Sequence, residues 1–186
     1  MDAFSYLSVL LSIVLGLGIT QLLQGYGRLM SARSRVRLYW PALLWAVSLL
    51  FAHVQNWWSM FSLRSRAHWN FLDFALVLSN PVLLYLLAAL VLPEKMEGEV
   101  DLEAHYYDHS RWFFALLLLL ITFSVAKAAV LDGAIKLDAD RLLQAIWFVL
   151  AAIALVTRRR WFHAANAVFG AVLLAVYIGT LFAQLH

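Results

Sequence analysis

The sequence predicts an all-α fold, an integral membrane bundle of six transmembrane helices. Charged residues make up only 13% of the 186-residue chain, and they cluster in short stretches between long apolar runs. These runs approach the roughly 20 apolar residues that a helix needs to cross a bilayer. The hydrophobic share of 64% also exceeds the roughly half that is usual in globular domains. Because so much apolar surface cannot be buried inside one small domain, the lipid bilayer is the first expected partner.

Six spans are predicted within a single domain, at about 4–27, 41–63, 71–92, 111–130, 140–157 and 161–185. The first apolar run follows Asp2 rather than a basic segment and is too long for a signal peptide, so we expect a permanent span. Pro41 suits the first turn of the second helix, and Pro93 closes the third. Pro81 lies inside the third helix and cannot donate a hydrogen bond to the carbonyl of Val77, which predicts a kink there.

Composition excludes several functional classes. The chain has no cysteine, which removes disulfides, thiolate metal sites and thiol redox chemistry. The formal net charge of +3 is not read as nucleic-acid binding, because the basic residues fall at the ends of the predicted spans, where membrane topology explains them. No sequence motif indicates a cofactor, and an enzymatic function is the less favoured reading because no nucleophile–base motif is present.

The basic residues predict an orientation. Alternate connections between spans carry unequal numbers of them, and the richer set is expected in the cytoplasm. The richer set holds Arg28, Arg33, Arg35, Arg37, Lys95, Arg111, Arg158, Arg159 and Arg160. The poorer set holds Arg64, Arg66, Lys127, Lys136 and Arg141. We therefore expect both termini outside the cytoplasm, which is the periplasm if the membrane is the bacterial inner membrane that the family resemblance below implies.

Small and polar residues recur every fourth position along the first helix. This stripe consists of Ser8, Ser12, Gly16, Thr20 and Gln24. Small residues at this spacing allow helix backbones to approach closely, so helix–helix packing is one interpretation. The alternatives are that the stripe lines a transport path or forms an interface with another subunit.

Further polar residues lie near the middle of the second and third predicted spans. His53 and Asn56 belong to the second span, and Asn80 lies beside Pro81 in the third. With Gly16 at a similar depth, they predict a polar layer at the membrane midplane, as in many transporters. For His53, a neutral ring hydrogen-bonded within the bundle is weighed against a role in proton or ion movement.

Asp73 is the acidic side chain placed well inside a predicted span. It can pair with Lys127 as a structural element, or act as a coupling carboxylate at the outer mouth of a path. The sixth helix carries a polar face, which should point into the bundle or toward another subunit. That face consists of His163, Asn166, Gly170, Tyr177, Thr180 and Gln184.

The polar segment before the fourth span holds a histidine pair. If 101–129 forms one helix, His105 and His109 share a face, and with Asp108 the pattern resembles the H-x-x-E-H motif of inverted zinc proteases. Asp108 replaces the glutamate, and no third distant ligand is identifiable. The two histidines are thus weak metal candidates, and we expect instead a solvated extension of the fourth helix that can dock a basic partner.

Two family resemblances rest on particular stretches. The opening AFSYLSVLLSIVLGLGITQLL, the run HVQNWW and the stretch DLEAHYYDHSRWFF resemble a family of small, uncharacterised bacterial inner-membrane proteins. That resemblance covers most of the chain and implies no function. Phe4-Ser5 is also similar to the start of the Phe-Ser-Asp motif of six-helix potassium channels, although Tyr6 replaces the acidic residue. Those channels place both termini in the cytoplasm, opposite to the orientation predicted above.

Two functions follow as expectations. The first is a small channel or transporter whose path or polar core draws on the residues Ser12, Gly16, Thr20, His53, Asn56, Asp73, Asn80 and Asn166. The alternative is a non-transporting membrane subunit, scaffold or sensor. It would act through helix–helix contacts of the first helix and through the acidic loop, as a homo-oligomer or with a partner in a membrane complex.

Overall fold

The computed structural model describes residues 3–66, 68–132 and 139–181. Six α-helices account for nearly all of this part of the chain, which confirms the all-α prediction. They are α1 Ala3–Ser31, α2 Trp40–Ser59, α3 Phe71–Val91, α4 Leu102–Asp132, α5 Ala139–Val156 and α6 Arg160–Leu181. Short 3₁₀ turns at Arg33–Arg35 and Met60–Ser65 follow α1 and α2. Residues 182–185 of the predicted sixth span lie outside the described residues.

Helices α2 to α6 form a ring, and α1 lies outside it. Going round the ring, α2, α3, α4, α5 and α6 each pack against the next, and α6 returns to α2. The first helix packs on the outside of α2 and α3. This arrangement leaves α1 with one face on the bundle and one face open.

Two short strands tie together the connections at one end of the bundle. Strand β1 (Val36–Arg37) pairs in parallel with β2 (Val100–Asp101), and Arg37 forms an ion pair with Asp101 at 3.2 Å. We call this end, which also holds the α5–α6 connection, the strand end. The α2–α3 connection lies at the opposite end.

Local chemistry explains where several helices begin. Pro41 occupies the first turn of α2, where its missing N–H leaves no intrahelical bond unmade. The side chain of Asn70 accepts a hydrogen bond of 2.8 Å from the backbone N–H of Asp73 and so caps α3. The Asp101 carboxylate does the same for α4, accepting from the N–H groups of Glu103 and Ala104.

The fourth helix begins much earlier than the predicted span, at Leu102 rather than 111. His105 and His109 therefore do lie one turn apart on a single helix. The expected helical extension of α4 is present, but only one of its faces is exposed, because Leu102, Tyr106 and Ser110 are buried against the rest of the bundle. Periodic apolar and aromatic residues on this segment pack on α2, which hydropathy alone does not reveal.

Four helices are long and apolar enough to cross a membrane: α1, α3, α4 and α6. Large apolar side chains such as Phe51, Val149 and Val172 are more than half exposed on the outside of the bundle. Such a surface is that of an integral membrane protein, because soluble proteins rarely expose extended apolar patches. The remaining two helices do not meet the same criterion. In α2 the polar side chains lower the hydropathy, and the apolar part of α5, Arg141–Val156, is short.

Candidate functional site

The helix ring encloses two adjoining cavities of about 140 and 240 Å³. Both are lined by Gln55 and Asn56 of α2, Asn80 of α3, and Gln144 of α5. Because these side chains border both spaces, we treat them as one site, the five-helix cavity. It lies toward the end opposite the strands, where α2 and α4 end and α5 begins.

The cavity is polar at its mouth and apolar further in. The mouth reaches the surface at the exposed Ser62 and is lined by Lys127 and Arg141. The Arg141 guanidinium donates a hydrogen bond of 2.7 Å to Gln144. Deeper in the bundle the walls are mostly Leu84, Leu117, Leu120, Ile121, Leu173 and Leu174. Among the described lining residues there is no carboxylate, and the charged side chains on these walls are those of Lys127 and Arg141.

Two of the predicted site residues form part of this cavity. Asn56 and Asn80 both line it, and Asn80 is only 5% exposed, with no hydrogen-bond partner for its Oδ1 among the described residues. A buried carbonyl oxygen without a partner costs free energy unless a ligand or water satisfies it. Val77 also lines the mouth. Pro81 has no backbone N–H and so cannot donate a hydrogen bond to the Val77 carbonyl. The helix itself continues through Pro81.

His53 lies outside the cavity, at the contact between α1 and α2. Its ring is fully buried, and Nδ1 lies 2.7 Å from the carbonyl oxygen of Leu49. Gly18 of α1 packs directly on the ring, which leaves no space for a side chain there. His53 therefore has a hydrogen-bond contact inside the bundle, as expected if its role is structural.

The small-residue stripe of α1 faces away from the bundle. Ser12, Gly16 and Thr20 are exposed, and the Thr20 hydroxyl donates to the carbonyl of Gly16 at 2.8 Å. None of the three lines the five-helix cavity. The structure thus does not assemble the predicted midplane layer, because α1 stands outside the ring. The interface interpretation of the stripe remains a prediction.

Asp73 is buried and paired with an arginine rather than with the expected lysine. Arg66 donates to its Oδ2 at 2.8 Å, and a second Arg66 nitrogen donates to the carbonyl of Leu131 at 3.2 Å. The arginine thereby joins the α2–α3 connection to the last turns of α4. Asp73 does not line the cavity mouth, where Lys127 is found instead.

The polar face of α6 points into the bundle over the residues that the structure describes. His163 and Asn166 are buried, and Tyr177 lines the five-helix cavity. Neither polar side-chain atom of Asn166 has a hydrogen-bond partner in the described part of the chain, yet the residue does not line the cavity. The side chains of Thr180 and Gln184 lie outside the described residues.

The weak metal candidates do not form a metal site in the described part of the chain. The His105 and His109 rings stack at 4.3 Å between centroids. One nitrogen of each ring already contacts a backbone oxygen, Leu90 for His105 and His105 itself for His109. Within residues 3–66, 68–132 and 139–181, no group of three histidines or carboxylates could hold a metal ion.

An aromatic plug separates the cavity from the strand end. We give this name to the residues Tyr39, Trp45, Tyr106, Phe114 and His163. Their rings contact one another at centroid distances of 5.3–5.9 Å and join α2, α4 and α6. The Tyr106 hydroxyl lies 2.9 Å from Nδ1 of His163, and burial together with the contact to Tyr107 raises the pKa of Tyr39. The plug is therefore tightly packed, and none of its five residues lines the five-helix cavity.

Sequence reasoning missed most of the cavity mouth. It considered Lys127 as a partner for Asp73, used Lys127 and Arg141 only to predict the orientation, and did not single out Gln144. The spacing of Arg141 and Gln144 places both on one face of α5, which was a usable signal. Comparison of the chain with family models, with curated proteins and with solved structures finds no significant match, so neither family resemblance is tested.

Proposed function

We propose that this chain is a membrane transporter whose five-helix cavity binds a small amphiphilic anion. The observation that supports this proposal is the division of one cavity into a cationic, amide-lined mouth and an apolar inner part. Ligand sites are commonly concave and mostly apolar, with a few polar groups that fix orientation. A solute with a charged head and a short alkyl tail matches that division.

The head of the solute would lie between α4 and α5. Lys127 and Arg141 supply positive charge, and Gln55, Asn56 and Gln144 supply amide groups for hydrogen bonds. Arginine and lysine bind carboxylate, sulfonate and phosphate oxygens through charge-assisted hydrogen bonds. The tail would then occupy the leucine-lined part, and Asn80 at the boundary would hydrogen-bond to the solute or to water.

A transporter fits better than an open channel because the aromatic plug closes one end. A solute bound in the cavity can leave toward the strand end only if α2, α4 and α6 move apart. Transporters achieve this by rocking helix groups around a central site. With α2 and α5 also crossing the bilayer, and with the basic residues oriented as the sequence predicts, the protein would lie in a bacterial inner membrane. Both termini and the cavity mouth would then face the periplasm.

Binding can be tested with a matched pair of probes in phosphatidylcholine nanodiscs. Calorimetry should detect 1-octanesulfonate but not octyltrimethylammonium, which carries the same chain with the opposite charge. Lys127→Gln and Arg141→Gln should each weaken binding about tenfold to a hundredfold, since a hydrogen bond to a charged group contributes about 1.5–3 kcal/mol. Arg64→Gln is the control, because Arg64 is an exposed arginine at the same end of the bundle and outside the cavity.

Transport itself requires a second measurement in proteoliposomes. Uptake of labelled octanesulfonate should fall in Asn80→Leu and persist in Asn166→Leu, since both asparagines are buried but only Asn80 lines the cavity. Equal binding of the cationic probe, or equal weakening in Arg64→Gln, would contradict the anion site. Binding without uptake would indicate a sensor or receptor rather than a transporter.

The alternative function, a non-transporting subunit or scaffold, is favoured by one observation. The stripe that includes Ser12, Gly16 and Thr20 faces outward and is left exposed by the residues that the structure describes. Close helix contacts between subunits use such faces. Gly16→Leu should then abolish self-association or capture of a membrane partner in cross-linking, while leaving probe binding in the cavity unchanged.

A further inference from the structure

A second site, unrelated to the cavity, surrounds Arg28 in the last turn of α1. The Nε and one terminal nitrogen of its guanidinium are buried, and neither has a hydrogen-bond partner in the part of the chain that the structure describes. Arginine remains protonated in proteins, so these are charged donors without an acceptor. Buried charged donors without an acceptor are costly, and natural structures nearly always satisfy them.

The guanidinium borders an open groove of about 450 Å³. Its walls include Gln24, Gly27, Ser31 and Arg35, and Met96 contributes from the α3–α4 connection. Nothing lies within 4 Å of the position that a side chain at Gly27 would take, which is why the groove is open there. The groove thus offers two guanidinium groups, one amide and one hydroxyl, with no carboxylate among its described lining residues.

We propose that this groove binds the phosphate group of an anionic lipid head. A phosphate presents several charged acceptor oxygens, and arginine matches it with planar, paired donors. Basic pockets beside membrane-spanning helices bind lipid head groups in this way. The depth is also suitable, because Arg28 lies in the final turn of a helix that is long and apolar enough to span.

The rest of the α1 surface supports a lipid over a soluble ion. Leu23 is 55% exposed, one turn from Gly27 toward the middle of the helix. Thr20 and Gly16 continue the same outward face, and the position of a side chain at Gly16 is also unobstructed. An acyl chain attached to a head group at Arg28 can therefore lie along this face.

Two ways in which the protein itself would satisfy the Arg28 guanidinium are weaker explanations than a bound phosphate. The carbonyl groups at the end of α1 attract a cation electrostatically, but they leave the two buried nitrogens without a hydrogen bond. Glu97, next to Met96 in the chain, is exposed and forms no ion pair with Arg28. A phosphate in the groove supplies the charge, and a rotation of the Arg28 side chain toward the groove brings its two buried nitrogens to the phosphate oxygens.

Native mass spectrometry can count lipids bound to the purified full chain during titration with phosphatidylglycerol, with phosphate-free diacylglycerol as the neutral comparison. Arg28→Gln should weaken the first lipid about tenfold or more, the loss expected for a charged hydrogen bond. Gly27→Leu should weaken it similarly by filling the groove, while both arginines remain. Arg159→Gln is the control, because Arg159 is an exposed arginine at the same end and outside the groove.

The outcomes separate the possible sources of phosphate. Loss of the first lipid in Arg28→Gln and Gly27→Leu, with retention in Arg159→Gln, supports the head-group site. If inorganic phosphate at millimolar concentration displaces phosphatidylglycerol, the site takes a soluble ion and the lipid assignment is wrong. Equal weakening in Arg28→Gln and Arg159→Gln, or no weakening in Gly27→Leu, would show only a diffuse positive surface and overturn the proposal.

Discussion

Replacing Gly18 with alanine tests the packing of α1 on α2, one of the two ring helices that α1 contacts. A Cβ atom at Gly18 would lie 2.7 Å from Cδ2 and 3.1 Å from Cε1 of the His53 ring, and closer still to Nε2. Carbon atoms in contact are normally about 3.5–4.0 Å apart. The ring cannot move away easily, because it is fully buried and Nδ1 contacts the carbonyl of Leu49 at 2.7 Å.

The expected loss follows from two opposing effects. Overpacking a well-packed interior costs about 1–3 kcal/mol. Alanine recovers part of this, because it favours a helix over glycine by about 0.8–1 kcal/mol. The net loss is therefore up to about 2 kcal/mol, which should lower the Tm by up to about 8 °C, given a shift of about 2–4 °C per kcal/mol for a chain of this size.

Thermal unfolding in one detergent can measure the effect against a matched control. Gly16→Ala on the same helix should leave the Tm unchanged or raise it, since nothing lies within 4 Å of a side chain there. In a His53→Ala background the loss from Gly18→Ala should disappear, because the clashing ring is gone. The reasoning fails if Gly16→Ala and Gly18→Ala behave alike, or if the loss persists without the imidazole.

Three further substitutions have defined outcomes. Asn166→Leu should raise the free energy of unfolding by about 1–3 kcal/mol, because it removes two buried polar atoms without partners; lower stability would instead reveal a hidden partner. Asp73→Asn should cost about 3 kcal/mol by leaving Arg66 without its carboxylate, and adding Arg66→Met should recover much of this loss in the same unfolding assay. The backbone N–H groups of Ala104 and Glu103, and then Arg37, hold the pKa of Asp101 below its ordinary value of 3.8. The stabilisation that the ionised Asp101 gives the folded state is therefore present above pH 3.8. It is lost as the pH falls through the lower pKa that Asp101 has in the folded state, so Asp101→Asn should flatten that part of a Tm–pH curve.

The helical fold was predictable from the sequence because hydropathy and length act locally. The all-α assignment depends on apolar runs interrupted by charge clusters, and Pro41 marked the start of α2 correctly. The helical extension at the start of α4 was expected, but the burial of one of its faces could not be read in the same way. Its first turns carry acids and histidines that suit a solvated helix, yet Leu102 and Tyr106 pack on the bundle and Asp101 caps the N-terminus of the helix.

The candidate site was only partly predictable, since a repeating pattern shows which residues share a helix face but not what that face meets. The stripe through Gly16 looked like a path lining, yet α1 lies outside the ring. The polar face through Asn166 does point inward, as a costly lipid-facing position would suggest. Asn56 and Asn80 were identified, but their meeting with Arg141 depends on how five separate helices align in depth, which the sequence does not encode locally.

Cysteine labelling tests the central claim, a water-filled cavity inside the helix ring, most directly. The chain has no cysteine, so Ser124→Cys and Thr122→Cys each introduce a single thiol. Ser124 lines the cavity, whereas Thr122 lies nearby on the exposed outer face of α4. A charged methanethiosulfonate reacts with the thiolate and so requires water at the site. In intact membrane vesicles we expect rapid labelling of Ser124→Cys and little labelling of Thr122→Cys, and equal labelling or an unreactive Ser124→Cys would contradict the account.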